Sequence, residues 1–401
     1  MRTDRTLWAR ISPRLLVLTT LLLPMGCQDD ASDANSAANT LYPAAKSLRA
    51  GQLEIVHTFR GPMPTGVTVS HDGRIFVTFP RWEDAPAATL VELQGDREVP
   101  FPDADINKGD TPNSLLSVQS AVVDAKNRLW AIDTGSINMD PIRGFEWPKL
   151  VCIDLESNRV TRTIHFAEGV IHHKSYLNDI RFDLRRGTEG MAFITDSSSD
   201  GPNGIVVVDL ASGRSWRKLH EHPSVMADPE FKAVLEGEPM MLRKPNQAPK
   251  PISVGSDGIA ISADGQRLFY CPLASRRLHS VSVEALINEK MSDQEVAKTI
   301  TTEQRKFASD GLETDSKNRI YLTDWEHNAV HVRTGENTFE TLAADPQMWW
   351  PDTLSLANDG HLYIISNQLH RQAKLHNGVD RRIRPFYLYR IQVNAKPVSL
   401  K

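Results

Sequence analysis

The chain has 401 residues, of which 40% are hydrophobic and 24% are charged, and its formal net charge is −4. The apolar fraction is sufficient for a sizeable core, and the slight negative charge without a Lys/Arg stripe argues against a nucleic-acid-binding surface. No apolar run reaches the roughly 18 residues that cross a bilayer as a helix, so we expect a soluble body.

Residues 1–27 have the form of an export signal, with an Arg-rich start, an apolar stretch and small residues before Cys27. The sequence Leu23-Pro24-Met25-Gly26-Cys27 resembles the lipobox of bacterial lipoproteins, in which the Cys is acylated, although Pro24 departs from the usual Leu. The resemblance predicts an exported periplasmic or cell-envelope lipoprotein that meets a membrane only through its lipid anchor. The alternative is simple cleavage and secretion, with Cys27 free or lost.

Residues 28–50 are rich in Ala, Ser, Asn and Asp, which is typical of a flexible linker. Beyond them, six segments repeat one pattern, in which two alternating apolar runs flank a tight polar turn. They are 66–79, 120–133, 179–196, 257–271, 310–324 and 352–366.

A pattern that recurs every few dozen residues is the signature of a repeat architecture. Each repeat is a predicted β-hairpin, and hairpins extended by further strands bury their faces by stacking radially. We therefore predict an all-β fold, a six-bladed β-propeller forming a single domain over residues 51–395. Strand-like segments at Leu53–Phe59 and Phe386–Val393 are expected to pair and close the ring.

Two other folds are disfavoured. A doubly wound α/β fold needs several capped helices and a Gly-rich phosphate loop, and only Ser292 with Glu295 forms a convincing capping box. A β-sandwich of this length requires two domains, and no linker separates them. The long segments Trp216–Pro251 and Glu284–Lys306 are predicted to be loops on a face of the propeller.

Equivalent positions of the repeats should form a ring around the central channel. Eight places before each turn residue stand Thr65, Gln119, Asp179, Asp257, Asp310 and Asp352. Four carboxylates and the neighbouring Asn178 provide oxygen atoms of the kind that bind Ca²⁺ or Mg²⁺. We therefore predict a divalent-cation site at Asn178, Asp179, Asp257 and Asp310, with Mn²⁺ or Zn²⁺ as second choices. The open alternative is that these Asp residues only cap turns.

Trp349 and Trp350 adjoin Asp352, and an aromatic pair beside a carboxylate suits an amphipathic or cationic small molecule. We predict a ligand-binding set of Trp349, Trp350, Asp352 and Asn178; the alternative is that a Trp packs between blades. His172 and His173 are neighbours on a strand, so at most one of them reaches the same site. No catalytic residue can be assigned.

Cys152 and Cys271 lie in apolar strands of different repeats, where a thiol packs as a small hydrophobic group. A disulfide between them is allowed in an oxidising compartment, but the sequence does not place them within bridging distance.

Several segments resemble the yellow / major royal jelly protein family, in a bacterial form, and the resemblance covers most of the chain after residue 50. They are Tyr176–Asp179, Ala192–Ser197, Gly204–Leu210, Gly213–Arg217, His222–Met226 and Ser256–Ser275. The resemblance implies a secreted six-bladed propeller whose channel, in some members, binds small amphipathic molecules such as biogenic amines.

More distantly, the chain is similar to the gluconolactonase / senescence marker protein superfamily, in which an axial divalent cation polarises a lactone carbonyl. That similarity would place the cation at Asn178, Asp257 and Asp310. The Glu of the first blade in that superfamily has no counterpart around Pro62–Gly66, although Asp352 could compensate.

Three functions follow as hypotheses. The first is an exported propeller that binds a small molecule in its axial channel. The second is a divalent-metal-dependent lactone hydrolase, and the third is an interaction scaffold that uses the faces of the propeller.

Overall fold

In the computed structural model, the described residues are 53–305 and 307–401. The export signal predicted at 1–27, the linker predicted at 28–50 and the predicted acylation of Cys27 fall outside these ranges. Within the described ranges, no helix is both long enough and apolar enough to cross a membrane.

The first half of the described chain begins with one strand that pairs with the end of the chain. It then forms three antiparallel sheets of four strands, which we call blades 1 to 3. The first strand is β1 (Glu54–Phe59), which lies outside these three sheets. The strands of the sheets are, in blade 1, β2 (Gly66–Val69), β3 (Ile75–Thr78), β4 (Leu90–Gln94) and β5 (Arg97–Pro100); in blade 2, β6 (Val118–Val123), β7 (Arg128–Asp133), β8 (Lys149–Asp154) and β9 (Arg159–His165); in blade 3, β10 (Leu177–Asp183), β11 (Met191–Asp196), β12 (Gly204–Asp209) and β13 (Ser215–Lys218).

The predicted loop Trp216–Pro251 begins inside β13, so residues 216–218 belong to blade 3, and the remainder contains two short hairpins. They pair β14 (Val234–Leu235) with β15 (Glu238–Pro239), and β16 (Met241–Leu242) with β17 (Lys250–Pro251).

The second half of the chain forms blades 4 to 6. Their strands are, in blade 4, β18 (Ser256–Ile261), β19 (Arg267–Pro272), β20 (Arg277–Ser282) and β21 (Thr301–Gln304); in blade 5, β22 (Leu312–Thr314), β23 (Ile320–Asp324), β24 (Ala329–Gly335) and β25 (Thr338–Ala344); in blade 6, β26 (Pro351–Leu356), β27 (His361–Ser366) and β28 (Phe386–Gln392).

Helical structure in the described ranges is confined to connections between strands. Two α-helices, α1 (Val283–Ile287) and α2 (Asp293–Ala297), join β20 to β21, and the predicted capping box of Ser292 and Glu295 opens α2. Three 3₁₀ turns are Ile106–Lys108, Leu369–Arg371 and Ala373–Leu375.

The six sheets form a closed ring. The innermost strands β2, β6, β10, β18, β22 and β26 contact one another in that order, and β26 returns to β2. Blade 6 takes its outermost strand from the start of the described chain, because β1 pairs antiparallel with β28 from Glu54 opposite Arg390 to Phe59 opposite Phe386. The predicted six-bladed propeller and its closure are therefore confirmed.

The first hairpin of every blade turns at a residue in the left-handed region, as the polar turn motif predicted. Gly occupies this position in four blades and Asn in two, with φ between +58° at Asn127 and +89° at Gly73. Only Gly adopts such φ values freely, and Asn tolerates them better than other residues do. The hairpin register is fixed by these turns.

Buried carboxylate contacts attach outer strands to the end of the second strand in three blades. Asp133 forms an ion pair with Lys149 and Asp196 with Arg217, while Asp324 is hydrogen-bonded to His331. In two of the blades the carboxylate also accepts backbone N–H groups from the segment that precedes the innermost strand: Asp133 accepts those of Leu116 and Ser117, and Asp196 accepts that of Tyr176. These carboxylates therefore stabilise the blades and are not part of the channel site.

The last residues, 393–401, run across the end of the channel where the innermost strands finish. The carbonyl of Leu400 accepts a hydrogen bond from the Leu184 N–H, and the carbonyl of Lys396 accepts one from the Ser316 N–H. The opposite end, where the innermost strands begin, holds the candidate site.

Candidate functional site

The six side chains at the entrances of the innermost strands are all buried, with exposures between 0% at Thr65 and 7% at Asp310. Each stands at the start of β2, β6, β10, β18, β22 or β26, or just before it. Because equivalent positions of a closed ring surround its axis, the entrances lie around one end of the channel, as the repeat spacing predicted.

In four blades these residues fall in a β-bulge of the first hairpin. The pairing of β6 with β7 shifts between Val118 and Ser120, and that of β10 with β11 shifts between Leu177 and Ile180. The same irregularity brackets Asp257 in blade 4 and Asp352 in blade 6. A bulge takes a residue out of the regular ladder and re-aims its side chain. The bulges therefore explain why Gln119, Asn178, Asp257 and Asp352 are available to the channel.

The Gly that follows Asp257 and the Gly that follows Asp310 have a packing role. A Cβ on Gly258 would lie 2.0 Å from the carbonyl oxygen of Asp310, and one on Gly311 would lie 2.2 Å from that of Asp352. Neighbouring blades thus touch backbone to backbone at their entrances, and the Gly311 N–H donates a 3.0 Å hydrogen bond to the Asp352 carbonyl. The repeated Asp-Gly pair therefore brings one acidic entrance close to the next.

The carboxyl groups of the ring are close enough to perturb one another. Burial, and then the charges of Asp310, Asp179 and Asp352, raise the pKa of Asp257 well above its ordinary value. Burial and the charges of Asp310 and Asp179 do the same to the pKa of Asp352. Burial also raises the pKa of Asp310 to about 7, although hydrogen bonds from Trp350 and Asp257 oppose the shift. At neutral pH the ring therefore retains protons, which relieves the repulsion between its carboxylates.

Hydrogen bonds fix the orientation of three ring carboxyls. The side-chain amide of Asn178 donates to Asp257, and that of Asn367 donates to Asp352. The indole N–H of Trp350 donates to Asp310. Thr195 adds a link between blades, because its hydroxyl donates a 2.7 Å hydrogen bond to the carbonyl of Asp257. The ring is thus held in place before any ligand arrives.

Asp179 has a different environment from the other three acids. Burial raises its pKa, while the positive charge of Arg181 opposes that shift. Arg181 is itself buried, and its guanidinium also lies 3.8 Å from Glu313 near the far end of the channel. A basic side chain therefore compensates part of the acidic charge along the axis.

The residues of the predicted cation site already contact one another or Arg181. Asn178 and Asp257 are hydrogen-bonded to each other, Asp257 and Asp310 share a hydrogen bond, and Asp179 faces Arg181. In residues 53–305 and 307–401, no group of three or more His, Cys, Asp or Glu side chains is arranged to hold a metal ion. As arranged, the residues do not fit a metal centre.

Above the ring opens a cavity of about 210 Å³. Its floor contains the ring residues Gln119, Asn178, Asp257, Asp310 and Asp352. Its wall is mainly apolar, and four Lys side chains also line it. The wall and Lys residues are Trp82, Met139, Tyr176, Met240, Leu242, Ile252, Val254, Leu273, Leu369 and Leu375, with Lys174, Lys244, Lys250 and Lys374.

The predicted aromatic pair lies next to this cavity and not in its lining. Trp350 is fully buried and stacks on Trp325, with ring centroids 4.5 Å apart. Trp349 is partly buried and packs under the guanidinium of Arg371, 4.2 Å from its ring centroid. Asn178 and Asp352, the other two members of the predicted ligand set, do line the cavity.

The aromatic groups that line the cavity are Trp82 and Tyr176. The indole N–H of Trp82 donates a 2.8 Å hydrogen bond to the Tyr176 hydroxyl, which in turn donates a 2.9 Å hydrogen bond to Gln119. Burial raises the pKa of Tyr176 well above its ordinary value, so the hydroxyl stays protonated. Tyr176 belongs to the motif that includes Asn178, but nothing in the sequence connected Trp82, which lies in a blade 1 loop, to the site.

The remaining candidates are placed away from the floor. The ring of His172 packs at a tilt against His220 and that of His173 against Phe145, and neither His lines the cavity. Cys152 and Cys271 are buried and both are free thiols.

Residues 116–396 match the family model described as major royal jelly protein. The chain is 28% identical over 261 residues to Protein yellow of Drosophila madeirensis, which covers 61% of this chain and 43% of that protein. Protein yellow of Drosophila melanogaster gives the same identity over 61% of this chain and 45% of the relative. The matched segment thus spans less than half the length of these relatives.

Solved structures support the fold alone, because their sequences are only 11% identical to this chain. A luciferin-regenerating enzyme superposes with a TM-score of 0.52, covering 87% of this chain and 99% of its own. A protein provisionally named a gluconolactonase superposes with a TM-score of 0.51, covering 88% and 98%.

Proposed function

Because the chain belongs to the major royal jelly protein family, we propose that it is a binding protein that holds a small molecule in its axial channel. The observation that carries the proposal is the cavity above the acidic ring, with its polar floor and apolar, aromatic wall. Cavities of this composition, with a few convergent polar groups and perturbed pKa values, are the usual sites for small ligands.

The size of the cavity limits the ligand. A cavity of about 150 Å³ accommodates benzene in other proteins, so about 210 Å³ fits one aromatic ring with a short substituent. Trp82 and Tyr176 provide flat apolar surface for such a ring.

The floor determines which substituents suit the ligand. Asp257, Asp310 and Asp352 offer oxygen acceptors, so hydroxyl or ammonium groups on the ligand can donate to them. A positively charged group would also favour the ionised carboxylates and release protons from the ring. We therefore expect a compact aromatic molecule that carries hydrogen-bond donors.

A thermal-shift panel of phenols, aromatic amines and sugars tests the proposal. A ligand present at about 100 times its Kd stabilises the fold by roughly 2.7 kcal/mol. Stabilisation by ring compounds that weakens in Asp352→Asn, but not in the exposed control Asp96→Asn, is the expected result. Failure of the whole panel at millimolar concentration contradicts the proposal.

The lactone hydrolase is the alternative, since Asn178, Asp257 and Asp310 provide three oxygen-bearing side chains in one cavity. Their mutual hydrogen bonds do not suit a metal centre as arranged, so we derive no reaction step through a cation. Metal analysis of the purified protein and a lactone-hydrolysis screen with and without chelator distinguish the two functions. Chelator-sensitive turnover together with a bound divalent ion would favour the hydrolase.

Export and lipidation form a separate part of the proposal, supported by the signal-like residues 1–27 and the lipobox-like segment ending at Cys27. Labelling with a radioactive fatty acid, compared between the parent protein and Cys27→Ser, tests it. Incorporation that depends on Cys27 is expected, and equal labelling of both proteins would contradict it.

A further inference from the structure

Lys374 occupies an unusual position among the Lys side chains of the cavity. It lies in the 3₁₀ turn Ala373–Leu375, in the segment between β27 and β28, and is partly buried. Its ammonium nitrogen lies 5.3 Å from the centroid of the Trp82 ring and 3.7 Å from the sulfur of Met139. The amine of Lys374 therefore sits against apolar and aromatic groups at the cavity wall.

No carboxylate of the described residues lies within ion-pair distance, 4.0 Å, of the Lys374 amine. Glu83 is the acidic residue whose charge most favours the ammonium form. Its two carboxylate oxygens, however, accept the backbone N–H groups of Ala373 and Lys374 at 3.0 Å each. Glu83 thus holds the turn in place and leaves the side-chain amine without a direct counter-ion.

Burial accordingly lowers the pKa of Lys374 to about 8, because the charged form is poorly solvated there, even though Glu83 opposes the shift. At pH 8 about half of the Lys374 side chains are then neutral amines, whereas an ordinary Lys with a pKa near 10.4 is almost fully protonated. A neutral amine at the wall of a cavity is a nucleophile.

The three other Lys residues of the cavity and the buried Lys149 each differ from Lys374 in one of two ways. Lys174, Lys244 and Lys250 also line the cavity, but all three are exposed. Lys149 is fully buried, but it is paired with Asp133 at 2.6 Å. Lys374 alone among these five combines a place in the cavity with partial burial and no carboxylate partner.

We propose that Lys374 is a covalent ligand site that forms an imine with the carbonyl carbon of an aromatic aldehyde bound in the cavity. The inference rests on the proposed function, because it assigns a chemical class to the occupant of the same cavity. The aromatic ring fits the apolar wall, and ring hydroxyl groups suit the carboxyl groups of the floor.

The reaction needs no oxidant or other reagent. The lone pair of the neutral amine forms a bond to the carbonyl carbon, and the carbonyl π electrons move to oxygen, which takes a proton to give a carbinolamine. The nitrogen lone pair then forms the C=N bond as the C–O bond breaks, and one water molecule leaves with both hydrogens of the amine. Asp140 lines the cavity and its charge acts on Lys374, so it is a nearby carboxylate for these proton transfers.

Reductive trapping tests the proposal on the full-length protein. The protein is incubated with 4-hydroxybenzaldehyde and cyanoborohydride at pH 7.5, and the modified Lys residues are identified by peptide mass mapping. Since a pKa near 8 leaves far more neutral amine than an ordinary Lys has, we expect labelling of Lys374 to exceed that of each other cavity Lys by about tenfold or more. The initial rate of imine formation, followed by absorbance without the reductant, should rise with pH and level off above about pH 8 to 9, because the addition needs the neutral amine.

Lys374→Met should lose the dominant adduct, whereas the matched variant Lys244→Met should keep it. The map of the parent protein does not depend on either variant folding. Labelling that is spread evenly over the cavity Lys residues, or a rate that still rises steeply above pH 9.5, overturns the proposal.

A non-covalent probe separates this inference from the proposed function. If 4-hydroxybenzyl alcohol stabilises the fold while the aldehyde gives no adduct on Lys374, the imine proposal fails and cavity binding stands. Both proposals fail if neither compound stabilises the protein, no adduct forms on Lys374 and no compound of the ligand panel stabilises the fold.

Discussion

The indole N–H of Trp350 donates a 2.8 Å hydrogen bond to the Oδ2 atom of Asp310. Trp350 is fully buried, stacks on Trp325 and has a positive φ of 50°, which a bulky residue adopts only when its surroundings enforce it. A side chain that the sequence suggested as ligand contact thus supports the acidic ring from behind.

Trp350→Phe removes this hydrogen bond and keeps most of the aromatic surface. Because the bond lowers the pKa of Asp310 against the effect of burial, we expect that pKa to rise above about 7 in the variant. Hydrogen bonds to charged groups contribute about 1.5–3 kcal/mol, so a loss of unfolding free energy of about that size should accompany the shift. Carboxyl titration by NMR and urea unfolding measure the two effects, with Trp349→Phe as the control outside the ring. An unchanged Asp310 pKa would contradict the role assigned to Trp350.

Asp310→Asn should change how stability depends on pH. The folded pKa of about 7 lies above the unfolded value of about 3.9, so the folded state binds the extra proton between these values. Stability contributed by this group is therefore full below about pH 4 and is lost as the pH rises to about 7. Removing the ionisable group should raise the unfolding free energy at pH 8 by up to about 4 kcal/mol, relative to the parent, and flatten its decline from pH 4 to 7. Asp96→Asn at an exposed turn should leave the profile unchanged.

Gly311→Ala should destabilise the propeller at the contact between blades 5 and 6. The added Cβ would lie 2.2 Å from the Asp352 carbonyl, so the two entrances must move apart. Overpacking of this kind commonly costs about 1–3 kcal/mol, which chemical denaturation can measure. Gly61→Ala is the matched control because no heavy atom lies within 4 Å of its added Cβ. Equal effects of both substitutions would rule out the close-approach explanation.

Lys149→Met should be one of the most destabilising single substitutions in blade 2. Lys149 and Asp133 are both fully buried and 2.6 Å apart, and removing one partner leaves the other charge uncompensated. Loss of one member of a buried pair typically costs about 3–5 kcal/mol. Lys108→Met removes a Lys from the exposed pair with Asp105 and should have no measurable effect on thermal unfolding. A small effect of Lys149→Met would show that water reaches Asp133.

The parts of the fold that follow from local patterns could be predicted from the sequence. Alternating apolar residues and positive-φ turn residues such as Asn127 and Gly360 specify hairpins within a few residues of one another. Symmetry then extends this local information to the ring, because residues at one offset in each repeat must surround the axis. The burial and convergence of Asp257, Asp310 and Asp352 follow from that argument.

The rest of the site depends on segments that carry no repeat. Trp82 and Lys374 lie in connections of unrelated sequence, and their contact with the cavity depends on how those connections fold over the blades. The partner of each carboxylate could not be predicted from the sequence either. The same repeated Asp is compatible with contact to a ligand, to an indole such as that of Trp350 or to a guanidinium such as that of Arg181. The three strand-end Asp residues that hold Lys149, Arg217 and His331 were not recognised as a separate structural set for the same reason.

Because β1 pairs with β28, blade 6 can be completed only after the last strand of the chain has been synthesised. Glu54 is synthesised long before Arg390, the residue opposite it in the completed sheet. Ribosomes add about 5–20 residues per second. For tens of seconds during translation, five blades can fold locally while β1 remains an unpaired strand. During that interval the emerging chain carries an unpaired strand that is open to domain swapping or to capture by a chaperone.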